Sequence, residues 1–80
     1  MRMNRLRKIQ DLIIMIDING ENLKFEARDI LYAYNLWTNK ADYLDFLIKK
    51  VNSALKFAQK IEKDLMRLKK LLKEVRKNEE

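Results

Sequence analysis

The sequence predicts a mainly α-helical homodimer built on one long C-terminal coiled-coil helix. Three observations carry that expectation. Leu44, Leu47, Val51, Ala54, Ala58, Ile61, Leu65, Leu68, Leu72 and Val75 follow each other at alternating steps of three and four residues, and all are apolar. Labelled a and d of a seven-residue repeat, they form a seam that a second helix must cover. The outermost f position of the same repeat is lysine every time: Lys49, Lys56, Lys63, Lys70 and Lys77. Finally, the 80 residues contain no proline and a single glycine, Gly20, so nothing beyond it forces a helix to stop.

The long helix is expected from about Lys40 to about Lys77, roughly 55 Å at 1.5 Å per residue. Around its first half, Ile48, Leu55 and Phe57 flank the seam and widen the apolar face. Around its second half the flanks become Glu62, Asp64, Lys69 and Arg76, with Leu71 the exception. A narrower stripe suits a two-helix contact. A shorter helix is expected over 26–38, where Ala27, Ile30, Leu31, Tyr34 and Trp37 share a face. Asn22 is a candidate cap for it. Thr38 to Asp42 is the expected break, with Thr38 or Asn39 capping the next helix. Residues 78–80 form a tail.

Residues 1–25 admit two readings. Leu6, Ile9, Ile13 and Ile16 fit a helix that ends at Asn19 with Gly20 as a left-handed cap. Asn19-Gly20 is also the favoured pair for a tight β-turn. A small β-hairpin about it would set Ile16 opposite Leu23 and Ile14 opposite Phe25. The isoleucine-rich sequence favours the hairpin, which needs a helix or a second copy to pack against.

An intramolecular bundle, with residues 2–38 folded back along the long helix, is the competing way to cover the seam. The N-terminal half offers few apolar a and d partners, so the seam residues are read as a homodimer interface. A chain this short, with no cysteine for disulfides, also needs oligomerisation for stability.

Charge is unevenly placed within the net +6. Arg2, Arg5, Arg7 and Lys8 face no acid in the first ten residues, whereas residues 11–48 are net −4 and residues 49–77 net +8. Basic ends favour anionic partners. The terminal cluster resembles in composition an arm that enters a nucleic-acid groove, and the lysine ridge has a spacing that can follow a phosphate backbone. Tyr32 and Phe46 fall off the main apolar stripes and are candidate partner anchors.

With no histidine or cysteine and no glycine-rich phosphate loop, the sequence offers neither the usual nucleophile-base pair nor a cofactor cradle. The acid pairs Glu26/Asp29 and Asp42/Asp45 are accounted for by helix-start electrostatics. No enzyme activity, metal or cofactor is expected. The longest apolar run, Leu12 to Ile16, is far too short to cross a bilayer, so a cytoplasmic setting is expected, with membrane attachment disfavoured.

Ala27-Arg28-Asp29-Ile30-Leu31, followed by Tyr43-Leu44-Asp45-Phe46-Leu47, resembles the DNA-binding part of phage antirepressor-type domains over those two short pieces. The gap between the pieces is longer than in that family, and Phe46 stands where the family has tryptophan. The order strand, helix, turn, helix also matches a ribbon-helix-helix dimer, but Ile13, Met15 and Asp17 would not give its strand a polar face. The expected function is a basic, non-enzymatic nucleic-acid-binding or regulatory protein. The alternative is an adaptor that grips another protein through its seam and aromatics.

Overall fold

The computed structural model describes residues 3–35 and 41–79. They form two helices, α1 (Met3–Asn35) and α2 (Ala41–Glu79), packed along their length as a hairpin. The helices run antiparallel: residues near the start of α1, such as Lys8 and Asp11, line one groove with Arg67 and Lys70, while Glu26 and Asp29 meet Lys50 near the turn. The result is a rod of 59 × 16 × 14 Å. Its radius of gyration, 17.9 Å, is well above the roughly 12 Å of a compact chain this long.

There is no strand among the described residues, so the expected β-hairpin about Asn19-Gly20 is corrected to continuous helix. With it go the left-handed cap at Gly20, the boundary at residue 25 and the ribbon-helix-helix order. The physical reason lies in what each arrangement buries. As one helix, residues 5–33 place Ile9, Leu12, Ile16, Leu23, Ile30 and Ala33 on a single inner face, and that face lies on α2. Carrying Gly20 in the middle of a helix costs about 1 kcal/mol. Each well-buried isoleucine or leucine returns about 1.5–3 kcal/mol. An isolated two-stranded hairpin would break that face in two. Of the expected break from Thr38 to Asp42, residues 38–40 lie outside the described residues, as does Trp37, whereas Ala41 and Asp42 are already part of α2.

The long C-terminal helix is present, and its seam is shared in an unexpected way. The d residues Leu47, Ala54, Ile61, Leu68 and Val75 are half-buried, and so are Tyr43, Lys50, Phe57, Asp64 and Leu71 at position g. The a row is different: apart from the half-buried Ala58, its residues Leu44, Val51, Leu65 and Leu72 remain 43–48% exposed. The chain's own α1 therefore covers the d and g side of α2. The d half of the seam, read from the sequence as homodimer interface, is thus covered from within the chain, as in the competing bundle reading. The inner face of α1 keeps the same alternation of four and three residues, but Asn19 and Glu26 occupy two of its places. Counting only apolar partners misses it.

The hydrophobic core is thin. Ile9 and Ala33 are the apolar residues that reach full burial among the described residues, and no large side chain is wholly enclosed. The accessible surface is 6921 Å². A compact protein of 9.7 kDa exposes roughly 5,100 Å².

One ion cluster ties the helices together near the turn. Lys50 Nζ donates a hydrogen bond to Asp29 Oδ2 at 3.0 Å and lies 3.4 Å from Glu26 Oε2. The ammonium also lies 5.8 Å from the centre of the Phe46 ring. Glu26 Oε2 is buried and accepts no hydrogen bond, so the neighbouring lysine charge is its compensation. The hydrogen bond from Lys50 to Asp29 raises the lysine pKa above its ordinary 10.5, against a smaller opposing effect of desolvation. A raised lysine pKa stabilises the fold fully below the ordinary value, and the contribution disappears as pH climbs through the raised one.

Two outcomes follow for stability. Urea titration should show Ile9→Ala losing about 2–5 kcal/mol, the usual cost of truncating a buried isoleucine. Thermal melts of the wild type should stay level up to the lysine range and then decline. Lys50→Met should melt lower at neutral pH and lose that part of the alkaline decline.

Candidate nucleic-acid interface

Antiparallel packing decides where the charges gather. The two basic segments lie at opposite ends of the sequence, yet they share one end of the rod. Arg7 and Lys8 on α1 are exposed there, and Arg5 is half-buried. Across from them α2 presents Arg67, Lys69, Lys70, Lys73, Arg76 and Lys77, all exposed. Lys8, Arg67 and Lys70 line a common groove with Asp11, Asp64 and Glu74. Leu12, Met15 and Leu71 complete its wall. The groove thus mixes both signs, and the excess of positive charge sits along its rims and at the terminus. Arg2 lies outside the described residues.

All five residues of the lysine ridge are exposed. Seven-residue steps move each one about 10.5 Å along α2, so the ridge runs the length of the rod. Lys70 and Lys77 join the basic pole, whereas Lys49 stands near the turn. The sequence-level candidates therefore divide: the N-terminal bases and the end of the ridge come together, and the beginning of the ridge does not join them. Tyr32 and Phe46 are 70% and 42% exposed. They sit toward the turn, away from the basic pole.

The opposite flank of the hairpin is apolar. Leu23 of α1 lines a shallow groove with Ala58, Ile61, Leu65 and Met66 of α2, bordered by Glu62 and Lys69. A second groove farther along is lined by Leu65, Leu68 and Leu72 together with Lys69, Lys73 and Arg76 of the basic pole. Helical spacing places Leu6, Ile13, Gly20 and Ala27, seven residues apart, on the Leu23 side of α1. Leu6 and Ile13 are about half exposed, at 46% and 51%. This row on α1 lies beside the uncovered a row of α2. By period alone Leu6 and Ile13 fall in one stripe with Ile9 and Ile16, yet they stand outside the inner face. Their seven-residue step to Gly20 and Ala27 was the signal that separates the two rows.

Among the described residues, no group of three acidic, histidine or cysteine side chains is placed to hold a metal ion. No described helix is long and apolar enough to cross a membrane. No protein-family model matches the chain, and no curated protein or solved structure does so either.

Proposed function

We propose that this is a small, non-enzymatic coiled-coil protein that works as a homodimer and binds nucleic acid through its basic pole. The observation that carries the reading is the meeting of Arg5, Arg7 and Lys8 with Lys69, Lys70, Lys73, Arg76 and Lys77 at one end of the hairpin. Long, flexible cations held in a cluster, all but Arg5 exposed, suit a phosphate backbone, whose contacts need charge rather than a shaped pocket. The uncovered a row supports self-association, because exposed leucine and valine at regular steps along a helix require a cover. A cysteine-free chain is compatible with the reducing cytoplasm, where we place it.

A second reading has its own observation. Tyr32 is 70% exposed near the turn, and Phe25 and Leu31 are 58% and 61% exposed on the same helix. An adaptor that grips another protein would use such residues as anchors.

Fluorescence anisotropy with a labelled DNA duplex separates these readings. Binding is expected at about 50 mM salt and should weaken steeply toward about 200 mM, as phosphate contacts release counterions. Arg7→Glu/Lys70→Glu/Lys73→Glu should weaken it by about tenfold or more. Lys49→Glu, at the far end, should have a much smaller effect. Absence of binding at the lower salt, or equal sensitivity at both ends, would refute the basic-pole reading.

A further inference from the structure

Taking the proposed self-association as its premise, we infer that the second copy lies head to tail on the apolar flank, related by a two-fold axis that crosses the rod at Gly20 and Ala58. The four helices then form one bundle. The first α1 crosses its counterpart and α2 crosses its own, with a basic pole at each end.

Area is the first support. The molecule exposes 6921 Å² where roughly 5,100 Å² is usual for its mass. A flank of a rod 59 Å long and 16 Å wide offers on the order of 900 Å², close to the ~800 Å² per partner of a stable interface.

Position supplies the second. Gly20 and Ala58 stand near the midpoints of α1 (Met3–Asn35) and α2 (Ala41–Glu79), and the pairs Ile13/Leu65 and Ala27/Val51 lie one repeat to either side. A side chain at Gly20 would meet nothing within 4 Å in the hairpin itself. The hairpin therefore carries a helix-weakening glycine for which it has no steric need. A helix of a second copy, crossing at the axis, supplies that need, since only small residues let two backbones approach closely there.

Charge chooses the orientation. The segment from Glu21 to Lys50, around the turn, balances Glu21, Glu26, Asp29, Asp42 and Asp45 against five bases, whereas the opposite end of the rod carries a large excess of bases. Head-to-tail pairing sets each basic pole beside the near-neutral turn region of the other copy. Head-to-head pairing would bring two basic poles together.

The absence of native cysteine makes the geometry directly testable. Sedimentation equilibrium of the full chain at micromolar concentration should give a dimer. Under mild oxidation Ala58→Cys should cross-link to its own copy, since the axis brings the two sites within disulfide reach. Val51→Cys mixed with Leu65→Cys should yield the heterologous cross-link, while Leu65→Cys alone should not. Gly20→Leu should keep its helical circular dichroism but weaken dimerisation at least tenfold. A monomer at these concentrations would overturn the self-association and this geometry together, leaving DNA binding to be judged separately. A dimer in which Ala58→Cys fails to cross-link, or which Phe25→Glu dissociates while Gly20→Leu does not, would overturn the geometry alone.

Discussion

A helix in a two-helix hairpin can hide only the stripe that faces its neighbour. The rest of this structure follows from that limit. Both helices carry apolar residues over more than one stripe. When the inner face of α1 settles on the d and g positions of α2, the a row is left outside. The thin core and the long shape have the same cause, because two helices in one layer have no third element to close over them. α1 illustrates the point most sharply. It exposes Ile13, Ile14 and Ile18 at three different angles around its axis.

Polar residues inside the contact set its alignment. Asn19 is almost fully buried at the centre of the inner face of α1. Glu26 occupies the equivalent place two turns later and is answered by Lys50 from α2. Each polar place contributes less burial energy than a leucine would. In return, a charged side chain with one suitable partner discriminates between slid alignments of the two helices more sharply than an apolar stripe does. With Asp29 joining the cluster, the turn end of the rod is pinned by charge and hydrogen bonding, while the terminal end relies on Ile9 and its neighbours.

The electrostatic character comes from topology. Had the chain formed one extended helix, its two basic segments would stand at opposite ends of a far longer rod. Reversal between α1 and α2 places them side by side and leaves the acid-rich middle of the sequence at the turn. The groove between Lys8, Arg67 and Lys70 and the apolar row around Leu23 and Ala58 then lie on opposite sides of the same hairpin, with Lys69, Lys73 and Arg76 bordering the apolar side.

The heptad in residues 44–75 sufficed to predict a long helix, and none of its residues interrupts α2. The exposure of the lysine ridge was equally legible, because position f points away from a seam in any arrangement. Local signals misled at Asn19-Gly20, where a pair with strong turn preference lies inside a helix. Its cost there is set by one residue, whereas the benefit of continuity is spread over the whole inner face. Which half of the seam would be covered, and by what, was beyond the pattern itself. Periodicity shows that a stripe needs a partner, but a partner with Asn19 and Glu26 in its inner face does not look like one until Lys50 is seen beside Glu26. The sequence by itself determined the helices, their apolar stripes and the two basic segments, since these depend on neighbours a few residues apart. Only the tertiary structure decided that the chain turns back on itself, that the basic segments meet and that the a row stays open, because these depend on how two whole helices align.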